Sequence, residues 1–245
     1  MSTLLTLHPP TSNDRRPPFA GLLSQRCPDA EAAARRRPGA IFGPPVVAAS
    51  ALGSGSFDDP VVVRLDVAPD AIGSDGPGVA RFEIDCSMDQ LDDALELAQA
   101  GESNPRPLTA PLAVFVAPDE PADAGWAAEV ATRIADAGAH PGLRAGPTPD
   151  EVADFLAVLA HSDAGFVARV NSGAEALAIL AATVAALRGD DVRTAFVAPD
   201  PVRVAGLNQD AAEALRTVLL SIEVEDAEEA EHHLAANGIT ATALP

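Results

Sequence analysis

Two apolar runs of this chain carry a charge on every second residue. In Val61–Val67, the side chains of Val61, Val63, Leu65 and Val67 share one face of a strand, and Arg64 and Asp66 share the other. In Val79–Asp85, Phe82 and Ile84 oppose Arg81, Glu83 and Asp85. Successive strand side chains point to opposite faces, so each run has one face for a core and one that needs a polar place. An open doubly wound sheet is covered by helices on both faces and calls for almost continuously apolar strands. A closed barrel has helices only outside, and its interior near the C-terminal mouth accepts polar groups. The alternation therefore points to an α/β fold, a (βα) barrel or an incomplete barrel of parallel strands. An open doubly wound parallel sheet is the alternative.

The order of segments agrees. From residue 39, short apolar runs alternate with longer amphipathic segments, each opened by a cap. Ser87 to Gln90 reads as a capping box ahead of Leu91, Leu95 and Ala98, with Gly101 closing the helix. Thr148-Pro149-Asp150-Glu151 combines an N-cap, a proline at the first helical position and a Glu three residues after the cap, and the helix runs through Leu159. Strands are expected at Val61–Val67, Val79–Asp85, Leu112–Val116, Gly142–Ala145, Phe166–Val170, Val192–Val197 and Ile239–Ala243. Strand followed by helix, repeated, is the pattern of a parallel sheet with right-handed crossovers. Val-Ala-Pro-Asp recurs at 67–70, 116–119 and 197–200, and reads as a strand exit whose aspartate caps the next element. Residues 1–38, with six prolines and Arg35-Arg36-Arg37, read as a Pro/Arg-rich N-terminal arm. Residues 39–245 read as a single α/β domain.

Charge narrows the partners. Against 36 acidic residues the chain sets 16 basic ones, all arginine, for a formal net charge of −20. Such a polyanion repels phosphate backbones and anionic lipid, so neither nucleic acid nor a membrane is an expected partner. Without lysine there is no Schiff base, no P-loop lysine and no Ser-Lys pair. Cys27 and Cys86 have neither the number nor the spacing of a disulfide framework or a zinc site. His232 and His233 suit a helix C-terminus better than a metal, and no metal site or resident cofactor is expected. Pro9 and Pro10 cut the N-terminal leucine run short of a signal peptide, and Ala174–Leu187 falls short of the ~20 residues that span a bilayer. The expected location is cytoplasmic.

The polar strand faces collect the candidate site. Arg64, Asp66, Arg81, Glu83 and Asp85 come from the first two strands, Arg144 and Arg169 from later ones, and Asn171 shares the parity of Arg169. Converging guanidinium groups bind a carboxylate or phosphate bidentately, and the carboxylates hold a divalent cation or move a proton. Four arginines and three acids also nearly neutralise one another as an internal ion-pair network. An exposed sheet margin is a third account of the same alternation.

The order of segments also resembles an uncharacterised bacterial family, abundant in high-GC genomes, whose members look like (βα) barrels. The likeness runs nearly end to end. It takes in Phe19-Ala20-Gly21-Leu22-Leu23, then Phe42-Gly43-Pro44-Pro45-Val46-Val47, then Leu143-Arg144-Ala145-Gly146 with Thr148-Pro149. Phe166-Val167-Ala168-Arg169 comes after these, and finally Leu219-Leu220-Ser221 leading to Leu234 and Gly238-Ile239. In that family one strand reads Lys-x-Arg with a following Gly pair, and the next carries Phe-Lys-x-Thr-x-Gly-x-His-His. Only the arginine matches here, as Arg144; the lysine positions fall on Gly142 and Val167, the His pair near Gly173 and Ala174, and the family's terminal cysteine has no counterpart in Ser221–Asp226. Lysine and histidine are the groups that act as base, nucleophile or acid at a barrel mouth. The resemblance thus implies a catalytically degenerate barrel acting as a binding or assembly subunit, partnered by a homologous active subunit, by itself or by a small anionic ligand. The alternative is an enzyme on a small phosphate or carboxylate, using the arginines, Asp66, Glu83 and Asp85 with Mg²⁺. In either case Arg144 is expected in a partly buried mouth, paired with those carboxylates.

Overall fold

In the computed structural model, which describes residues 17–53, 59–68, 78–99, 108–118 and 123–241, eight parallel strands close into a barrel in the order β1 to β8. The strands are β1 (Leu23–Cys27), β2 (Val46–Ala48), β3 (Val61–Leu65), β4 (Val79–Ser87), β5 (Leu112–Ala117), β6 (His140–Leu143), β7 (Phe166–Arg169) and β8 (Leu219–Val224). Between and after them run α1 (Ala30–Arg35), α2 (Leu91–Ala98), α3 (Trp126–Asp136), α4 (Pro149–Leu159), α5 (Gly173–Arg188), α6 (Val192–Val197), α7 (Pro201–Ala205), α8 (Gln209–Val218) and α9 (Ala227–Ala236). Closure runs through β1 and β8, where Leu23 pairs with Ile222, Ser24 with Glu223 and Gln25 with Val224. The open-sheet alternative is thereby excluded.

Parity sorts the side chains as the strand pattern requires. Val61, Val63, Leu65, Phe82, Leu112, Val114 and Val116 point outward into an apolar layer with α2 and α3. Leu23, Leu143, Phe166, Ala168, Ile222 and Val224 do the same against α4, α5, α8 and α9. The opposite parity fills the interior, where the apolar share is small: Ala113, Phe115 and Val167, with Leu220 packed against them. Helix α5 is apolar on nearly every side because it is enclosed, with α4, α6, α7, α8 and α9 all packed around it. Its ends are set by the Ser172 Oγ, which accepts from Glu175 N at 3.3 Å, and by Gly189 at φ 72°.

Several elements differ from the sequence expectation. Val192–Val197 is helix α6, not a strand; Asp191 caps it, accepting from Arg193 N at 3.0 Å and Thr194 N at 3.3 Å. Periodicity does not separate strand from helix in a six-residue apolar run. The third Val-Ala-Pro-Asp consequently leaves a helix, although Asp200 does cap the next one, α7. Asp70 and Asp119, the last residues of the other two copies, lie outside the described residues. Ile239 and Thr240 form no strand, Ile239 being buried in the α-helical layer, and residues 242–243 lie outside the described residues. Inside the segment read as an arm, Leu23–Cys27 is a barrel strand and Ala30–Arg35 a helix, so the barrel begins well before residue 39. Among the described residues no helix is long and apolar enough to cross a membrane.

Candidate functional site

Two glutamates hold the centre of the barrel. Glu83 on β4 and Glu223 on β8 are both 0% exposed. Between them stands Arg169 of β7, whose Nε donates to Glu223 Oε2 at 2.7 Å and whose Nη2 donates to Glu83 Oε2 at 3.3 Å. Its Nη1 donates to Asp85 at the end of β4. From below, Arg81 Nη2 donates to Glu83 Oε1 at 2.6 Å and to Ser221 Oγ at 3.0 Å. On the seam side Arg26 Nε lies 3.3 Å from Glu223 Oε1, and Arg26 Nη2 lies 3.2 Å from Glu225 Oε1 at the rim. Strand register explains the convergence, since Arg64 pairs with Glu83, Arg169 with Glu223 and Glu223 with Ser24, all on the inward parity.

An aromatic shelf supports Arg169. The guanidinium carbon sits 3.7 Å from the centre of the Phe115 ring, a cation–π contact in a desolvated place. The ring occupies space left by the neighbouring strand: a Cβ on Gly142 would stand 2.5 Å from Phe115 Cγ. The space a side chain at residue 142 would take is therefore filled by a phenyl ring from β5.

The two glutamates divide the burden of one proton. Burial pushes Glu223 up to about 8, the negative Glu83 beside it adds to the rise, and Arg169 works against both. Burial also acts to raise Glu83, but Arg81, Arg169 and the hydrogen bond from Glu223 outweigh it and hold that carboxyl below its ordinary value. The surroundings thus favour the charged form of Glu83 and the protonated form of Glu223. Burial acts to lower Arg169, yet Glu223, Glu83 and Asp85 keep it still more firmly charged than usual. Two other groups near the barrel are muted. Burial pushes the Cys86 thiol up to about 11, and it depresses His140, whose Nδ1–H donates to the Gly165 carbonyl at 3.0 Å.

The structure thus gathers Arg81, Glu83, Asp85 and Arg169 from the sequence candidates and leaves the others apart. Arg144 is exposed and makes no hydrogen bond or ion pair with another described residue, which corrects its expected pairing with the carboxylates. Its strand ends at Leu143, so residue 144 already lies above the rim. Asp66 also lies past its strand, exposed, where its carboxylate accepts from Ser50 N at 2.9 Å and from Ser50 Oγ. Asn171 is exposed, and its backbone N–H donates to Glu175 Oε2 at 2.8 Å. Arg64 is half-buried and likewise makes no hydrogen bond or ion pair with another described residue. Among the described residues no three His, Cys, Asp or Glu side chains are grouped to hold a metal ion.

Sequence reasoning missed five members of the network: Ser24, Arg26, Phe115, Ser221 and Glu223. The signal existed as parity in Ser24/Arg26 and in Ser221/Glu223/Glu225, hidden in the first case by the prolines around β1. Two further features complete the mouth. A cleft of about 310 Å³ opens at the ends of β1, β2 and β3, bounded by Arg26, Cys27, Val46, Ala48, Arg64 and Glu225. At the first turn of α5, the amide of Gly173 donates to Glu229 Oε2 at 2.7 Å, so the chain's own carboxylate takes the place an anion occupies at such a helix end. Compared with known proteins, the chain matches no family model, and no curated protein or solved structure matches it.

Proposed function

We propose that this chain is a binding or assembly barrel without acid–base or nucleophilic chemistry of its own. The observation that carries the reading is that both interior glutamates are fully buried and ion-paired, Glu83 with Arg81 and Arg169, and Glu223 with Arg169 and, at 3.3 Å, Arg26. A general base has to reach a substrate proton within hydrogen-bond distance. Here Glu83 and Glu223 are locked beneath the mouth, and the network's carboxylate nearest solvent, Asp85, is spent on Arg169. The lack of lysine and of the His pair seen in the resembled family supports the same conclusion. So does Glu229 at the α5 N-terminus, which disfavours a phosphate at that particular place.

The enzyme alternative would route chemistry through Asp66, Glu83 and Asp85 with Mg²⁺, and these three are engaged separately by Ser50, by Arg81 and Arg169, and by Arg169. A thermal-shift screen of sugar phosphates and short dicarboxylates, with and without Mg²⁺, tests the reading. Any compound that stabilises the protein is then incubated with it and followed by NMR. Bound ligand recovered unchanged is the expected result; ligand converted to a product, or stabilisation that requires Mg²⁺, sinks the non-catalytic reading. A ligand at ~100 times its Kd adds about 2.7 kcal/mol, an easily measured shift.

A further inference from the structure

The geometry points to a small dianion, carboxylate or phosphate in kind, as the occupant of the cleft between β1, β2 and β3, gripped by Arg26 and Arg64. The inference rests on the binding-barrel reading and names the ligand class and the place. In an acidic chain nearly every described arginine has found a carboxylate or a carbonyl: Arg37 takes Glu231, Arg133 Asp92, Arg193 Asp150 and Arg203 Asp190. Arg64 has not. It projects inward from β3, half-buried, and Asp66, two residues on, turns its carboxylate to Ser50. Among the described residues none takes its guanidinium N–H groups, whose fork suits a planar, bidentate acceptor.

Behind the opposite wall, buried groups lack partners. Arg26 Nε and Glu223 Oε1 are both shielded from solvent and, though only 3.3 Å apart, are not aligned for a hydrogen bond with each other or with any other described residue. Ser24 Oγ, on the residue paired with Glu223 across the seam, is buried and unpartnered as well. Buried polar groups without partners cost free energy. Of these residues Arg26 lines the cleft, and a guanidinium N–H is a donor that an oxyanion satisfies. The volume lies at the small end of the ~300–1,000 Å³ typical of ligand sites, which selects a compact ligand, and the cleft stands at the C-terminal mouth where barrels of this kind bind. Glu225 stands on the rim against Arg26, so its charge opposes an entering anion.

Isothermal titration of the full chain with inorganic phosphate and with succinate, at pH 7 and fixed ionic strength, tests the site. Heat with phosphate alone assigns a phosphoryl ligand; heat with succinate alone assigns a dicarboxylate. Either way Arg64→Met should weaken binding about tenfold or more, the loss of a charge-assisted bidentate contact. Glu225→Gln should tighten it by about threefold by lifting a like charge at the rim. Opposite signs from two variants cannot arise from partial unfolding, and melting curves of both confirm the fold. Arg144→Met, on the other side of the mouth, should bind as wild type. No heat with either probe, as a crevice filled by water alone would give, overturns the proposal, and so does an Arg64→Met chain that binds like wild type. A ligand that binds through Arg64 and is then converted would leave this site standing and remove the non-catalytic reading, so the two failures are distinguishable.

Discussion

Arg169 on β7 and Arg144 just past the end of β6 belong to neighbouring strands and have opposite consequences. Arg169 bridges Glu83, Asp85 and Glu223 at 10% side-chain exposure, so Arg169→Met leaves buried carboxyl groups without their counter-ion, a change that typically costs ~3–5 kcal/mol. Arg144→Met removes an exposed charge with no partner among the described residues, and should stay within about 0.5 kcal/mol of wild type. Urea melts of the two variants check this, and equal losses would mean that the network does not hold the barrel together. Protonation gives a second prediction. Glu223, with a folded-state value of about 8 against an unfolded value near that of an ordinary glutamate, binds its proton more tightly when folded, so stability is lost as pH rises from about 4.5 to 8. The slope is at most about 1.4 kcal/mol per pH unit. Glu83 acts oppositely: its lowered value makes its contribution full above the ordinary range and lost only as pH falls below it. Glu223→Gln mimics the protonated form permanently, so its advantage over wild type in melting temperature should grow from pH 5 to pH 8. A difference that is flat across that window would place the proton elsewhere.

At the scale of elements, what could be read in advance was parity, and what could not was partnership across strands. Arg81, Glu83 and Asp85 were legible as an inward-facing set because β4 is long and alternates without interruption. Glu223 was not, because β8 is reached only after four consecutive helices, and its meaning depends on closure against β1, a strand disguised by the flanking Pro17, Pro18 and Pro28. Arg144 misled for a related reason: β6 ends one residue before it, and strand ends are set by tertiary pairing that a single strand does not encode. The same β6 supplies a test. Gly142 is small because Phe115 crosses in front of it, and Phe115 in turn carries Arg169. Gly142→Ala drives a methyl group into the ring, an overpacking change that costs ~1–3 kcal/mol and tilts the shelf beneath Arg169. Combined with Phe115→Leu, which empties that space, the penalty should shrink. A double variant no more stable than Gly142→Ala alone would show that the clash lies with the backbone and not with the ring.

Across the whole molecule, a net charge of −20 makes the surface repel copies of itself, while the interior network is close to neutral. These are separable reservoirs of charge. The surface acids set how molecules meet, and the few buried ones set whether the barrel closes. With a sequence pI near 4.4, the repulsion vanishes on acidification, and exposed apolar residues such as Val197 at 68% and Val202 at 77% on α6 and α7 are then free to make contacts between molecules. Light scattering should therefore show self-association rising as pH falls from 7 toward 4.4, with the near-ultraviolet signal of Trp126 unchanged while the fold persists. Salt offers an independent arm: at about 1 M the screening length shrinks to ~3 Å, so association should also rise at pH 7 without any change in protonation. If acid promotes association and salt does not, the cause is protonation of particular carboxylates, with loss of pairs such as Arg193–Asp150 beside α6. If both do, long-range repulsion alone keeps the molecules apart, and an assembly partner for this barrel would need a basic surface of its own.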